Sequence, residues 1–266
     1  MTSSVPAELR GPGAGHGKVC VWSGGVLWIG AGADRAGDVH AHHALQLSFS
    51  DEPALAFRPG DAAVWTSYPG CLIPADYAHA IDASFRPYAN LFVDPESAEG
   101  RSLGRLAAEG EGASGIVRLD EGESRAAAEL LYGAWVGGAD QAGLEGAARE
   151  VIRRFAGTAP PHALADPRVL AAIALIRDRL DQRVSLTDVA RELHLSPSRL
   201  RHLFVEEVGL PFRSFVLWER LRRVIEAIGT ESLTRIALAA GFADAAHMTR
   251  TFRRMLGFAP SLLRQL

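Results

Sequence analysis

Cysteine is scarce in this 266-residue chain, with only Cys20 and Cys71 present. Two thiols cannot staple a fold of this length, so a disulfide framework is excluded and a reducing compartment, the cytoplasm, is expected. Long apolar runs are also missing. No stretch approaches the roughly 18 uninterrupted apolar residues that span a bilayer, which excludes a membrane protein. The opening MTSSVPAELRGPGAGHGK has no basic segment followed by an apolar run, so a signal peptide is not expected there.

What the sequence does hold is an ordinary globular balance, 48% apolar and 22% charged. Its length suits two domains of roughly 100–150 residues each. The formal charge of −3 conceals an uneven distribution. Residues 166–266 carry 16 Arg against 11 Asp or Glu, a net of +5, whereas residues 1–165 carry 12 basic and 20 acidic residues, a net of −8. A basic C-terminal part suits a polyanionic partner, because counterions released from DNA supply much of the affinity.

Along the chain the pattern predicts an α+β protein. Short strands broken by Gly, Pro and Asp are expected at 18–22, 25–29, 43–49, 62–65, 71–73, 79–83 and 88–93; the segment HALQLSF alternates apolar and polar residues. Regular spacing with turn signals suggests a small β-barrel or sandwich over residues 1–120. A short helix is expected near 103–108. From Glu123 the period becomes helical, predicting helices at 123–136 and 141–155 within a dimerisation and linker region, 121–165. Pro160 and Pro161 end the second of these and begin a linker to a helical domain at 166–266.

That last domain contains an internal repeat. SLTDVARELHLSPSRLRHLF (185–204) lies over SLTRIALAAGFADAAHMTRTF (232–252), at an offset of 47 before the turn and 48 after it. Each copy reads as a short helix, a tight turn and a second helix. Leu186, Val189, Ala190 and Leu193 make one apolar stripe; Ser196 and Pro197 then supply an N-cap and a proline at the first helical position. In the second copy Gly241 sits in the turn and Asp244 can cap the next helix. Such pairs are the helix-turn-helix motif, although an isolated αα-hairpin is also a common way to build a bundle. Two copies at fixed spacing, joined by an apolar helix at 211–228, favour DNA recognition, with reading helices about 34 Å apart on one face of the duplex.

With Leu200, Leu203 and Phe204 inward, the opposite side of the first reading helix presents Ser198, Arg201, His202 and Val205. With Met248, Thr251 and Phe252 inward, the second presents Ala246, Thr249, Arg250 and Arg253, with His247 at the margin. Arg reads guanine bidentately, hydroxyls reach bases or phosphates, and small apolar groups meet the thymine methyl. Arg222, Arg223, Arg253 and Arg254 are placed as phosphate contacts, which position without reading sequence.

On these motifs, residues 167–266 resemble the AraC/XylS family of transcriptional regulators; the most specific stretch is IALAAGFADAAHMTRTFRRMLGFAP, with Gly257, Phe258 and Pro260 at its end. The resemblance implies a seven-helix domain with two helix-turn-helix units, reading an asymmetric half-site through Ser198, Arg201, His202, Ala246, His247, Thr249 and Arg250. One departure stands out: Ala245 and Ala246 replace the larger polar residues frequent in the family, which implies weaker base reading by the second helix.

The segment GDVHAHHALQLSFSDEPALAFRPGDAAVWTSYPGCLIPADYAHAI resembles a cupin barrel, the sensor domain of many such regulators. Metal cupins close His, His, an acid and a distant His on one ion. By position those are His40, His42, Gln46 and His79, with Gln46 where the acid is expected; a neutral amide is a poorer ligand than a carboxylate for a hard cation. Two readings stay open: an effector pocket lined by His40, His42, Gln46, His79 and Trp65 without metal, or a divalent metal site on His40, His42 and His79. His16 and His43 are read as surface residues.

The function expected is a sequence-specific transcription regulator, activator or repressor, controlled by a small-molecule effector in the barrel. Its partners would be double-stranded promoter DNA, the effector and a second copy in a homodimer touching through 123–136 and 141–155, with room for RNA polymerase as a further partner. No catalytic residues and no obligatory cofactor are expected. The rivals are a metal-dependent cupin enzyme with an attached DNA-binding domain, and a DNA-binding dimer without an effector.

Overall fold

The computed structural model describes residues 17–22, 24–31, 36–50, 55–60, 62, 64–83, 87–110, 115–157, 166–256 and 259–261. Among them the N-terminal part is antiparallel β and the C-terminal part helical. The strands are β1 (Gly17–Trp22), β2 (Gly25–Ala31), β3 (Leu45–Phe49), β4 (Leu55–Pro59), β5 (Thr66–Tyr68), β6 (Gly70–Ile73), β7 (His79–Asp82), β8 (Pro87–Val93) and β9 (Val117–Arg118). One sheet has the order β1-β2-β8-β3-β6-β9 and the other β5-β4-β7. The segment that precedes β3 pairs with β7 at an isolated bridge in which His40 and His79 exchange backbone hydrogen bonds, each 2.9 Å. Leu55, Phe57 and Tyr68 of the small sheet pack on Cys71 and Ile73 of the large one. Strand β4, absent from the sequence expectation, is legible afterwards: Leu55 and Phe57 are buried at a spacing of two.

Strand β3 is buried along its whole length, and its alternation sorts two different environments. Leu45, Leu47 and Phe49 face a core shared with α1 (Ala98–Glu109), α2 (Glu121–Val136) and α3 (Gln141–Ala156). Gln46 and Ser48 point the other way, into an interior that is polar. Burying that row requires partners for every group. They exist: the Gln46 amide reaches Ser48 Oγ at 2.8 Å, and Ser48 reaches the Asn90 amide at 2.8 Å.

Asp120 and Asp140 cap α2 and α3 by accepting from Glu123 N and Gly143 N, both at 2.9 Å. The apolar stripes of these helices are spent on the large sheet: Leu131, Tyr132, Leu144, Val151 and Ile152 belong to its core, and Phe155 stacks on Phe49 at 5.4 Å. That corrects the reason for expecting a dimer contact there, since the stripes face inward. The proline linker falls at 158–165 and, with His16, lies outside the described residues.

The C-terminal part holds α4 (Pro167–Asp178), α5 (Leu186–Glu192), α6 (Pro197–Val208), α7 (Phe212–Ala227), α8 (Leu233–Ala239) and α9 (Ala245–Leu256). These are six of the seven helices implied by the resemblance; Gly257 and Phe258 lie outside the described residues. Both turns use a left-handed residue at the equivalent position, His194 (φ 55°) in the first copy and Gly241 (φ 81°) in the second. Helix α6 starts as its sequence dictates, with Ser196 Oγ accepting from Arg199 N at 3.1 Å and Pro197 next. Before α9, Asp244 Oδ1 accepts from His247 N at 2.6 Å. No helix among the described residues is long and apolar enough to cross a membrane.

Candidate nucleic-acid interface and histidine site

Helices α6 and α9 present the faces that their periodicity predicts. Leu200, Leu203, Phe204, Met248, Thr251 and Phe252 are buried. Ser198, Arg201, His202, Val205, Ala246 and Arg250 are exposed, while Thr249 and His247 are half-buried, His247 with its ring edge 5.3 Å from Phe242. Arg253 and Arg254 are exposed as well. Among the described residues none of Arg201, Arg250, Arg253 and Arg254 is held in an ion pair, whereas Arg177, Arg179, Arg191, Arg222 and Arg235 all are. Unpaired guanidinium groups on one side of two reading helices leave donors directed at solvent, the arrangement a phosphate or base edge requires.

Arg222 departs from expectation. Rather than standing ready for a phosphate, it is buried against the N-terminal domain, donating to Asp94 Oδ2 at 2.5 Å and to the Trp22 carbonyl at 3.0 Å. The physical reason is its register: Glu219 and Arg222 follow Phe215 at i+4 and i+7, on the apolar stripe of α7. Charges on an apolar stripe were the signal that sequence reasoning passed over. Arg223 is exposed and lines a cleft of about 480 Å³ between Val21 and Trp22 on one side and Arg177, Leu180, Glu219 and Glu226 on the other.

Around Arg222 lies a buried charge cluster that no motif announced. Arg177 makes a bidentate pair with Glu219 (2.9 and 2.8 Å) and approaches Asp94 (3.6 Å) and Glu96 (3.5 Å). His43, expected on the surface, is 1% exposed and sits 3.4 Å from both Glu96 and Asp76. Burial works against a charge on His43, but the hydrogen bond to Asp76 and the Glu96 carboxylate beside its Nε2 outweigh it and push its pKa up to about 9. Burial likewise raises Asp94 to about 6, with the Arg222 charge opposing and Glu96 and Glu219 reinforcing. Asp94, Glu96 and Glu219 bring carboxylate oxygens within 4.8 Å of one another, the spacing of a cation site. Arg177, Arg222 and protonated His43 already balance those three charges, so this is an ion cluster of the domain contact.

The expected histidines do converge. His40, His42 and His79 are buried, with ring centroids 4.4–5.8 Å apart and one ligating nitrogen from each within 4.8 Å of the others. Their Nδ1 atoms face backbone carbonyls: His40 to Asp38 at 2.9 Å, His42 to Ala44 at 3.0 Å and His79 to Tyr77 at 2.8 Å. Such bonds place the proton on Nδ1 and leave the Nε2 lone pairs for the cluster. Burial lowers the pKa of all three, His42 to about 4, so the imidazoles are neutral at pH 7. A neutral His42 has no proton left for Gln46 Oε1, 2.8 Å from its Nε2. The consistent assignment turns the Gln46 amide, which then donates to His42 and accepts from Ser48, and turns the Asn90 amide with it, so that Asn90 donates to Ser48 Oγ. His79 Nε2 is buried without a hydrogen-bond partner. Trp65 lies apart from this cluster, exposed, with the Arg58 guanidinium 5.1 Å from its ring centre.

Comparison with known proteins bears on the two parts differently. Residues 189–266 match the family model of a helix-turn-helix domain. An uncharacterized HTH-type transcriptional regulator, YfiF of Bacillus subtilis, is 36% identical over 93 residues, covering 34% of this chain and 29% of that protein. The arabinose operon regulatory protein of Escherichia coli is 35% identical over 109 residues, 39% of this chain and 36% of the relative. The chain thus spans about a third of the length of these relatives. In overall fold it is similar to the crystal structure of ToxT from Vibrio cholerae, with a TM-score of 0.55, 13% identity and coverage of 94% of this chain and 99% of that one.

Proposed function

We propose that the protein, whose residues 189–266 match a helix-turn-helix domain model, is a sequence-specific DNA-binding transcription regulator whose DNA affinity answers to a ligand held by the histidines of its N-terminal domain. The observation that carries this is the pair of reading helices whose outward arginines, Arg201 and Arg250 with Arg253 and Arg254, are exposed and held by no ion pair among the described residues. In this reading Ser198, Arg201 and His202 face bases from the first unit, and Ala246, His247, Thr249 and Arg250 from the second. Arg223, Arg253 and Arg254 contact phosphates. The test is selection of bound sequences from a random duplex pool by the full chain, followed by titration of the selected and a scrambled duplex at fixed salt. A specific protein prefers the selected duplex by at least about 10³-fold; equal affinities overturn the reading.

For the ligand, the donor chemistry favours a divalent transition-metal ion of the class that imidazole suits, such as Zn²⁺ or Ni²⁺. Three neutral imidazoles with their Nδ1 protons fixed by backbone carbonyls, and an orphaned buried nitrogen on His79, support it. His40, His42 and His79 would hold the ion, with the Ala44 carbonyl oxygen orienting His42 and the Gln46 amide giving up its contact with His42 Nε2 to free that lone pair. Elemental analysis of the purified full chain should find about one metal per chain, lost in His79→Ala. Metal-free protein whose melting ignores added Zn²⁺ and chelator would assign the cluster to an organic effector instead.

A further inference from the structure

The two helix-turn-helix units close their cores differently. In the first, Val169, Ile173, Val189, Leu200 and Phe204 pack with the N-terminal half of α7, and every buried apolar residue of the cluster comes from the C-terminal domain. In the second, Ile236, Met248 and Phe252 pack on α7 from its middle onward, through Trp218, Leu221 and Val224, but the same cluster contains Ala44 and rests on Val19, Trp28 and Phe92 of the N-terminal sheet. The core of the second unit is therefore partly made of another domain.

The shared part adjoins the histidine site. Ala44 offers its carbonyl to His42 Nδ1 at 3.0 Å. The His42 ring lies 5.1 Å from Phe92 and 6.4 Å from Trp218. At the rim, the Trp218 indole N–H donates to Asp94 at 3.4 Å while Arg222 ties α7 to Asp94 and to the Trp22 carbonyl. Toward the first unit, the contacts are ionic or at a ring edge rather than a shared apolar core: Arg177 of α4 approaches Asp94 at 3.6 Å and Glu96 at 3.5 Å, and His43 lies on Phe215 at 6.0 Å. Close-packed interiors pass displacements to their neighbours, because there is no slack to absorb them.

We infer that the N-terminal domain governs the second helix-turn-helix unit selectively, through the seat of α7 on the His42–Ala44 segment, and leaves the first unit to its own core. The inference rests on the reading that the histidine cluster is the regulatory site, and it states which unit answers. A displaced His42 shifts Ala44 and the Trp218 ring together, and with them the surface on which α8 and α9 pack.

Hydrogen–deuterium exchange on the full chain tests this with neither DNA nor ligand present, so its failure is distinct from failure of the DNA-binding reading. Three proteins are compared: wild type, His42→Ala in the site, and Arg222→Gln at the rim. Both variants are expected to quicken exchange in α8, α9 and the C-terminal half of α7 by on the order of tenfold or more, with α5 and α6 unchanged. Unchanged α8 and α9, or equal acceleration in both units, overturns the inference. Should His42→Ala not fold, Arg222→Gln decides by the same two criteria.

Discussion

The two helix-turn-helix units share a sequence pattern and a turn geometry, yet they differ in autonomy. Unit one is sealed by its own domain, while unit two borrows Ala44, Val19, Trp28 and Phe92 and is pinned at its rim by Arg222. Repeats of one motif need not be energetically equivalent, because what lies under each helix pair, rather than the pair itself, sets how it moves. The outer faces differ as well: α6 opens with Ser198, Arg201 and His202 exposed, α9 with Ala245 half-buried and Ala246 exposed.

The largest test of this asymmetry is Arg222→Met, which leaves Asp94 buried without its closest cationic partner. Removing one member of a buried ion pair costs about 3–5 kcal/mol, so urea unfolding followed by domain-specific fluorescence should show both domains weakened. A loss below about 1 kcal/mol would show that the domain contact is not held by charge.

Gly241→Ala comes next. The added Cβ would lie 2.0 Å from the Leu180 carbonyl oxygen, in a backbone held at φ 81°. A cost upward of about 2 kcal/mol is expected from left-handed strain and the clash together, read as a drop in denaturant midpoint. A neutral result would mean that the two units do not meet as closely as Gly241 and Leu180 do here.

For DNA, Arg201→Ala should cost about 1–3 kcal/mol on the selected duplex and relax discrimination at one base position. Arg250→Ala should cost no more and relax less, given its alanine-rich surroundings, while Arg254→Ala should weaken all duplexes alike and reduce the salt slope by about one. Equal relaxation by Arg201→Ala and Arg250→Ala, measured by anisotropy on single-base variants, would make the units equal readers. The smallest effect is His194→Gly, which removes a left-handed non-glycine from the first turn. A gain of at most about 1 kcal/mol is expected, since relieved strain is offset by a freer unfolded chain.

Much of the helical domain was legible because its signals are local. Ser196 and Pro197 begin α6, Asp244 caps α9, and period-3.6 apolar positions separate Leu200 and Phe204 from Arg201 without any knowledge of neighbours. The histidines also came together as the cupin resemblance implied, because His40 and His42 lie on one segment and an isolated bridge pairs His40 with His79 of β7. Less was legible where a residue's role depends on a distant partner. His43 reads as one more polar residue after His42, and only Asp76 and Glu96 make it a buried cation. Arg222 resembles its neighbour Arg223 in sequence, yet one turns toward Asp94 and the other lines the cleft.

By itself the sequence determined the α+β order, the repeated helix-turn-helix pattern and the outward face of each of α6 and α9, since each follows from spacing along one chain segment; the gathering of the histidines was implied only by resemblance to a cupin. The tertiary structure alone decided that the apolar faces of α2 and α3 are spent on the large sheet, that α7 is tied to the N-terminal domain through Asp94, and that among the described residues the second unit alone shares its apolar core. Those facts depend on which surfaces meet, and a buried contact between residues more than a hundred positions apart leaves no period in the chain that forms it.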